Sequence, residues 1–299
     1  FNSFLRYLFG PTSTFVNLNL NFQRSLASAQ RVFELLDIVP EIKDAKASFP
    51  INSVKGKVVF QDVAFSYREK PVLHSLNFSV EPGETVAVVG PSGAGKSTLL
   101  NLIPRFFDPD KGQILLDSNN IKDLTVKSLR EKIAIIPQDI FLFSDTIKEN
   151  IAFGTPQLND EDIVKAAMCA HAHEFIVNLP QQYDTRIGER GATLSGGERQ
   201  RIAIARAIAG GPDILLMDEG TSQLDAELEE AILNNIRTLM KAKTIFIIAH
   251  NLAAIDESDK IIVMDKGTII GIGKHHRLYR ECSIYRKLYD TSLSNHQFS

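Results

Sequence analysis

The residues best suited to chemistry form one glycine-rich run between positions 90 and 98. The run fits the pattern G-x-x-x-x-G-K-[ST], whose backbone N–H groups surround the phosphates of a nucleotide. Glycines allow close backbone approach, and the N-terminus of the following helix adds partial positive charge. Lys96 is expected to reach the β- and γ-phosphates, and the Ser97 hydroxyl to hold Mg²⁺. The residues predicted to bind the phosphates are Gly90, Pro91, Ser92, Gly93, Ala94, Gly95, Lys96, Ser97 and Thr98.

Two adjacent carboxylates, Asp218 and Glu219, follow the short apolar run Ile214–Met217. Such a run is typical of a buried strand, and ligands in an open α/β sheet lie beyond the carboxyl ends of its strands. Asp218 suits the Mg²⁺ shell, directly or through water, and Glu219 suits polarising an attacking water. The alternative is a polar strand end that caps the next helix, but the phosphate loop upstream favours the chemical roles.

A second glycine-rich site lies between Ser195 and Glu198. These two residues have the S-x-x-E spacing of a capping box, which by itself explains both of them. Gly196 and Gly197 exceed what a cap requires, and they would leave backbone N–H groups exposed at a positive helix end. Two interpretations stay open here, a plain helix cap and a second anion site.

The pattern of elements around these residues indicates an α/β fold. Thr85–Val89, before the phosphate loop, reads as a buried strand, and Lys96–Ile103, after it, as a helix that Pro104 ends. Further short apolar runs, mostly separated by helical patterns, indicate a mostly parallel sheet covered on both faces. These runs are Ile133–Ile136, Ile214–Met217, Thr244–Ile248 and Lys260–Met264.

Two more regions complete the predicted architecture. Val58–Tyr67 and Val72–Val80 are rich in strand-forming residues and flank a polar turn, which predicts an antiparallel pair. Asn159–Leu179, with Asn159 as a candidate N-cap, and Gly196–Ala209 have helical patterns. They predict a helix-rich insertion between Gln138 and the strand that begins at Ile214.

The N-terminal residues 1–39 are predicted to be helical and amphipathic, with a break at Gly10-Pro11. Their apolar side chains recur at three- and four-residue spacing and form one face. These side chains are Phe15, Leu18, Phe22, Leu26, Ala29, Val32, Phe33 and Leu36. Residues 40–55, with two prolines and mixed charge, are predicted to be a linker, residues 56–290 a domain, and residues 291–299 a tail.

Composition argues against several classes of protein. The net charge of −3 provides no electrostatic footprint for nucleic acid. Cys169 and Cys282 lie far apart without metal-ligand spacing, so we expect reduced thiols in a cytosolic setting. The sequence contains no run of 18 apolar residues and no signal-peptide pattern. Because it begins with Phe1 rather than Met, a fragment of a longer protein is expected.

The order of these motifs resembles that of the ATP-binding cassette family of transport ATPases. The resemblance covers about residues 55–290, and the run Leu194–Arg201 between the two phosphate-site motifs is its most specific part. It implies a P-loop NTPase core with an antiparallel β-subdomain and an inserted α-helical subdomain at about residues 139–210. It also implies that two cassettes close head to tail around ATP and Mg²⁺. Ser195, Gly196 and Gly197 of one cassette would then meet the γ-phosphate held by the other.

The family's functional roles carry over to single positions of this chain. Tyr67 matches the aromatic residue that stacks on adenine, although an ordinary strand-end tyrosine is the alternative. Gln138 matches the residue that senses Mg²⁺ and the attacking water. His250 matches the histidine that contacts the γ-phosphate and Glu219, although a structural histidine is the alternative. The implied catalytic residues are Glu219, His250, Gln138 and Lys96. The implied metal ligands are Ser97, Gln138 and Asp218. The further implied nucleotide contacts are Tyr67, Ser195, Gly196, Gly197, Glu198 and Asp225.

Three positions depart from the family pattern. Gly220 and Gln223 stand where alanine is usual, and Asn251 stands where arginine is common. Gly220 adds backbone freedom beside Glu219, and Gln223 places a bulkier polar group in a loop expected at the dimer interface. These changes are expected to alter rate and coupling between sites rather than to abolish activity.

Two segments resemble the exporter branch of the family. Ile187–Gly191 resembles the short loop that touches the coupling helices of the membrane domain, and Arg31–Asp37 resembles the cytosolic end of the last transmembrane helix. Residues 1–39 are therefore interpreted as that end of a fused membrane domain. The expected location is the cytoplasmic side of a membrane, within an integral membrane transporter. The expected partners are a second cassette, more simply in a homodimer, the membrane domain, and an exported drug, lipid or peptide, but no nucleic acid.

Two alternative functions stay open at this point. One is a non-catalytic module that uses ATP as a dimer clamp, and the presence of Glu219 and His250 argues against it. The other is a chromosome or DNA-repair ATPase of the same superfamily. Such proteins carry a long coiled coil between phosphate loop and signature, whereas the stretch between Lys96 and Leu194 is short and has no sustained heptads.

Overall fold

The computed structural model describes residues 2–155, 157–188, 191–218, 224–249 and 255–296. The chain divides into two compact units, Phe1–Lys43 and Asp44–Ser299. The boundary therefore falls inside the segment 40–55 that was predicted to be a linker.

The first unit consists mainly of one helix, α1 (Asn2–Leu36). The helix runs through Gly10 and Pro11, so the predicted break there is wrong. Proline keeps a helical φ and lacks only its own N–H, so a helix can continue past it with one hydrogen bond fewer. Leu18 and Phe22, on the predicted apolar face, are exposed. Among the described residues no helix combines the length and apolar character that crossing a membrane requires.

The second unit contains the strands and the remaining helices. In chain order the strands are β1 (Val58–Tyr67), β2 (Lys70–Val80), β3 (Thr85–Val89), β4 (Lys111–Leu116), β5 (Asn119–Asn120), β6 (Ile133–Ile136), β7 (Ile214–Asp218), β8 (Thr244–Ile248), β9 (Lys260–Asp265) and β10 (Thr268–Gly273). The described helices of this unit are α2 (Lys96–Leu102), α3 (Val126–Arg130), α4 (Ile147–Ala152), α5 (Asp160–Cys169), α6 (His173–Val177), α7 (Gly196–Ala209), α8 (Ala226–Leu239), α9 (His275–Glu281) and α10 (Ser283–His296).

The strands form two sheets. The larger has the order β10-β9-β3-β8-β7-β6 and is parallel except at the β10 edge, which confirms the predicted mostly parallel sheet. The smaller is antiparallel with the order β2-β1-β4-β5, and it contains the predicted β1–β2 pair. Strands β4, β5 and β10 were not predicted. Strand β10 contains two glycines and stays partly exposed, so it lacks the continuous apolar run by which buried strands are recognised.

The larger sheet is covered on both faces because alternate residues of its strands point in opposite directions. Ala87 and Val89 of β3 pack in one apolar cluster together with helices α5, α6 and α7. Val86 and Val88 pack in a second cluster with β1, β2 and β4. The helical insertion and the antiparallel sheet therefore lie on opposite faces of the parallel sheet, whose strand ends hold the site.

The helical insertion differs from its prediction in one respect. The predicted helix Asn159–Leu179 is two helices, α5 and α6, because His171 between them adopts a left-handed φ of 51° that a helix cannot continue through. Asn159 caps α5 as predicted, since its Oδ1 accepts from the Asp162 N–H at 2.8 Å. Helix α7 has the predicted bounds.

Candidate functional site

The predicted phosphate loop connects β3 to α2. Gly93 and Gly95 have φ angles of 77° and 97°, in the left-handed region that favours glycine. A Cβ on Gly90 would lie 2.2 Å from the Met264 carbonyl oxygen, and one on Gly95 would lie 2.7 Å from Leu73 Cδ2. Close packing therefore requires glycine at positions 90 and 95, the two glycines that the pattern fixes, whereas Gly93 is favoured only by its backbone conformation.

Lys96, the first residue of α2, is held inside this loop. It is only 7% exposed. Its Nζ donates to the carbonyl oxygens of Gly90 at 2.8 Å and of Pro91 at 3.0 Å. A buried ammonium group beside a helix N-terminus creates a positive site that suits phosphate oxygens.

Ser97 and Asp218 meet at the edge of the sheet. The Ser97 hydroxyl donates to Asp218 Oδ1 at 3.1 Å. Asp218 ends β7, and Ser97 follows β3. Strand β8 lies between these two strands, so the contact spans two strand spacings of the sheet. Hydroxyl and carboxylate oxygens are the hard ligands that Mg²⁺ prefers.

A cleft of about 280 Å³ lies along the phosphate loop. Its lining residues are Val72, Ser92, Gly93, Gly95, Lys96, Ser97, Thr98 and Gln138. Gln138, two residues after β6, lines the same cleft as Ser97, and its role toward Mg²⁺ and the attacking water stays a prediction. Sequence reasoning missed Val72, which reaches the cleft from β2. Gly267 holds β2 beside the loop through two backbone hydrogen bonds. Its carbonyl oxygen accepts from the His74 N–H at 2.8 Å, and its N–H donates to the Ala94 carbonyl oxygen at 3.1 Å. No local sequence pattern predicts these bonds.

Tyr67 ends β1 and is 39% exposed. Its ring lies edge-on to Phe107, with 5.1 Å between ring centroids, and to Phe65 at 4.8 Å. These contacts fix the orientation of the ring on the antiparallel sheet. Tyr67 does not belong to the described lining of the cleft, so its contact with adenine stays a prediction.

The second glycine-rich site forms the N-terminus of α7. Both halves of the capping box are present: the Ser195 Oγ accepts from the Glu198 N–H at 3.3 Å, and Glu198 Oε2 accepts from the Ser195 N–H at 2.8 Å. The Glu198 carboxylate is thereby turned onto its own helix end. None of Ser195, Gly196, Gly197 or Glu198 belongs to the described lining of the phosphate cleft, so one chain carries two separate helix N-termini of this kind.

Asp225 begins α8. Its Oδ1 accepts from the Leu228 N–H at 2.9 Å, which makes it the N-cap of that helix. The predicted catalytic residues Glu219 and His250, and the unusual positions Gly220, Gln223 and Asn251, lie outside the described residues.

An aromatic cluster on the helical insertion was not predicted. Phe141, Phe143 and Phe153 are 50%, 37% and 54% exposed, and the last two stack with 4.1 Å between ring centroids. Arg206 of α7 lies beneath them, with its guanidinium carbon 5.7 Å from the Phe143 centroid. Burial lowers the pKa of Arg206 to about 10, and the group donates to the carbonyl oxygens of Asn150 and Phe141 at 2.7 and 2.8 Å. This cluster is an exposed apolar surface supported by a buried cation.

Comparison with known proteins identifies the fold and its motifs. The family model for ABC transporters matches residues 73–222, the stretch from the phosphate cleft through Asp218 and beyond. The chain belongs to the ABC transporter family. The family match implies that the chain binds ATP.

The relatives of this ABC chain include proteins named for lipid flipping and for multidrug export. It is 45% identical over 282 residues to an ATP-dependent lipid A-core flippase of Syntrophus aciditrophicus (strain SB), covering 94% of this chain and 47% of the relative. It is 47% identical over 291 residues to a protein of Staphylococcus aureus (strain NCTC 8325 / PS 47) named for multidrug export, covering 97% and 50%. The chain therefore spans about half the length of the curated relatives that it matches.

A solved structure supports the same assignment. A bacterial Atm1-family ABC exporter with ATP bound matches with a TM-score of 0.83 and 42% identity, over 89% of this chain and 47% of that one. The similarity confirms the predicted fold class, an α/β P-loop core with an antiparallel subdomain and a helical insertion.

Proposed function

We propose that this chain is the ATP-hydrolysing nucleotide-binding domain of a membrane exporter. The contact between Ser97 and Asp218 carries the proposal, because it joins the two phosphate-site motifs at the edge of a cleft that also holds Lys96 and Gln138. The oxygen atoms gathered there fit Mg²⁺. A bound Mg²⁺ would neutralise charge on the phosphate oxygens during transfer to water.

The protein's own residues have separate tasks in this mechanism. The loop N–H groups and Lys96 bind and orient the phosphates, and Ser97, Asp218 and Gln138 would hold the metal. Glu219 follows Asp218 directly in the chain and accepts the proton of the attacking water. His250 contacts the γ-phosphate. Glu219 and His250 are assigned from the sequence pattern, and variants must test them.

The active assembly contains two such chains, arranged head to tail as a homodimer. The N-terminus of α7 supports this arrangement, because Gly196 and Gly197 do not belong to the described lining of their own chain's phosphate cleft, while the helix dipole favours an anion. A partner's γ-phosphate is the anion that this geometry suits. Asp225, which begins α8 in the loop after the carboxylates, lies at the interface between the two.

The third partner is a membrane domain on the same polypeptide. The aromatic cluster is a suitable docking surface for it, because its rings are apolar and exposed. Gly191 lies near the same stretch of chain, since a Cβ on Gly191 would be 3.2 Å from Cδ1 of Leu142, the residue between Phe141 and Phe143. Helix α1, with its exposed apolar side chains, is the connection to that domain and the cytosolic end of its last transmembrane helix. The cassette lies on the cytoplasmic side of the membrane. The names of the relatives, a lipid A-core flippase and a multidrug exporter, make a lipid or a drug better supported as the cargo than a peptide.

Steady-state phosphate release from MgATP tests the proposal. The chain is expected to turn over, and Glu219→Gln is expected to bind MgATP but lose turnover by about 10²-fold or more, since the amide keeps the shape and removes the basicity. Glu230→Gln, on the exposed side of α8, is the matched control and should behave like the parent. ATP binding without phosphate release by the parent would instead establish the ATP-clamp alternative.

A further inference from the structure

Two consecutive carboxylates after β8 are held by two different helices. Asp256 contacts α10, and Glu257 contacts α8. Glu257 pairs with Nη1 of Arg237, in the last turn of α8. The other guanidinium nitrogens of Arg237, Nε and Nη2, are buried and make no hydrogen bond within the described residues, and burial lowers the pKa of this arginine. The pair therefore anchors a residue next to Asp256 to the core.

The contacts of Asp256 form a connected network. The Tyr289 hydroxyl donates to both Asp256 carboxylate oxygens at 3.1 Å. His275 Nδ1 lies 3.7 Å from Asp256 Oδ1 and 2.8 Å from the Tyr285 hydroxyl. The His275 and Tyr289 rings pack with 4.4 Å between their centroids. We call Asp256, His275, Tyr285 and Tyr289 the C-terminal latch.

The latch lies directly behind the phosphate site. Tyr285 and Tyr289 line a small cavity of about 50 Å³ together with Gly90, Ala249 and Ile255. Tyr285 is 1% exposed, and burial raises the pKa of Tyr285, so its hydroxyl stays protonated at physiological pH. Burial and the Asp256 charge likewise raise the pKa of Tyr289 to about 12. Both hydroxyls therefore remain able to donate.

The position of the latch in the chain indicates its role. Ala249 and Ile255 stand on either side of the short segment that contains His250, and both contact the cavity beneath α10. Asp256 fixes the chain immediately after this segment. A group that acts on a reacting phosphate must be held within about 0.5 Å of its productive position. Fixing both ends of a short segment restricts the positions open to the residues between them.

We propose that the C-terminal latch supports ATP hydrolysis by fixing the chain at Ile255 and Asp256, with Asp256 and Tyr289 as positioning residues. The inference rests on the proposed ATPase function. Neither side chain belongs to the described lining of the phosphate cleft, so loosening the latch is expected to affect the chemical step and to leave ATP binding by the phosphate loop unchanged. Helix α10, which carries Tyr289 and lies outside the residues matched by the family model, then contributes to hydrolysis.

Four single variants of the full chain test this role. Tyr289→Phe and Asp256→Ala both remove the hydrogen bond, whereas Asp256→Asn keeps an acceptor oxygen for the tyrosine. Tyr279→Phe is the matched control, because its hydroxyl donates to Asp290 at 2.9 Å in the same helix pair without touching Asp256. Phosphate release gives kcat and KM for MgATP, and thermal unfolding gives Tm.

The expected result is a split between kcat and KM. Tyr289→Phe and Asp256→Ala should lower kcat about three- to tenfold with KM within about twofold of the parent. Asp256→Asn and Tyr279→Phe should stay within about twofold in both constants. Equal kcat for Tyr289→Phe and Tyr279→Phe, in an active parent, overturns the latch and leaves the ATPase function intact. A fall in kcat that comes with a matching loss of Tm in Asp256→Ala and Tyr289→Phe shows a structural role only and also overturns it. A parent that releases no phosphate overturns the proposed function and the latch's catalytic role together.

Discussion

The Ser97 hydroxyl donates to Asp218 Oδ1 at 3.1 Å, although Ser97 lies in the helix after β3 and Asp218 ends β7, two strands that are not adjacent in the sheet. The register explains the contact. Strand β3 pairs in parallel with β8, and β8 with β7, so all three strands end at the same edge. A hydroxyl that begins a helix after β3 and a carboxylate that ends β7 are thereby placed side by side.

Replacing the carboxylate tests whether this pair is a metal site. Asp218→Asn keeps an acceptor for the Ser97 hydroxyl but removes the negative charge that favours Mg²⁺. We expect ATP affinity in the presence of Mg²⁺ to fall about tenfold or more, and affinity in EDTA to remain that of the parent. Equilibrium binding of a fluorescent ATP analogue in both buffers measures the two values. Equal losses in the two buffers would place Asp218 in the fold and not in metal binding.

Two glycines of the phosphate loop provide a matched pair of substitutions. Gly93→Ala meets only conformational strain, because its Cβ would have nothing within 4 Å, and should cost about 1–2 kcal/mol of folding free energy or less. Gly95→Ala causes a similar conformational strain and also brings the new Cβ within 2.7 Å of Leu73 Cδ2. It should therefore cost more folding free energy than Gly93→Ala and should weaken ATP binding. Urea unfolding with ATP titration compares them. An equal effect of the two alanines would mean that the loop relaxes freely away from Leu73.

The phosphate loop shows which features a single sequence can predict. Its glycines, Lys96 and Ser97 are contiguous, so one pattern carries both the local backbone geometry and the chemistry. Asp218 was predictable because a buried apolar strand is easily recognised and its carboxyl end has a known place in such sheets. The cap between Ser195 and Glu198 depends on spacing alone and was predicted for the same reason.

The features that sequence reasoning missed depend on contacts between distant segments. Val72 reaches the cleft only because Gly267 ties β2 to the loop. The stacking of Phe143 on Phe153 depends on how α4 and α7 pack around Arg206. No periodicity in the chain reports such pairings. The continuous helix through Pro11 is a different case, because a local rule predicted a break that the backbone did not require.

The N-terminus of α7 predicts a charge-sensitive dimer. Gly196→Asp would place a carboxylate where a partner's γ-phosphate is proposed to bind, so repulsion should prevent ATP-dependent dimerisation while ATP binding to the monomer survives. Light scattering in the Glu219→Gln background, with and without ATP, measures this. Asn234→Asp, an added charge on the exposed side of α8, is the control and should dimerise like its background. A Gly196→Asp protein that dimerises as fully as the control would argue that this helix end serves only as a cap.

The boundary between the two units predicts a difference between two N-terminal deletions. Residues 44–51 belong to the cassette. The Phe49 N–H donates to the Asp123 carbonyl oxygen at 3.0 Å, and the Phe49 carbonyl oxygen accepts from the Thr125 N–H at 3.0 Å. The Asp44 carboxylate accepts from the Val126 N–H at 2.7 Å. Removing residues 1–43 leaves these bonds in place, whereas removing residues 1–50 breaks all of them.

Both deletions should reduce ATP-independent self-association, because both remove the exposed apolar side chains of α1. Only the longer deletion should lower the stability of the cassette, by about 1–3 kcal/mol for the lost hydrogen bonds. Size-exclusion chromatography without nucleotide and thermal unfolding with and without ATP measure the two effects. Loss of ATP binding in the 1–43 deletion would show that α1 is part of the cassette fold, and the interpretation of α1 as the end of a membrane helix would then have to be abandoned. Equal stability of the two truncated chains would instead mean that the hydrogen bonds of Asp44 and Phe49 contribute nothing to stability. We expect a difference, because these bonds tie residues 44–49 to α3 and to the turn before it.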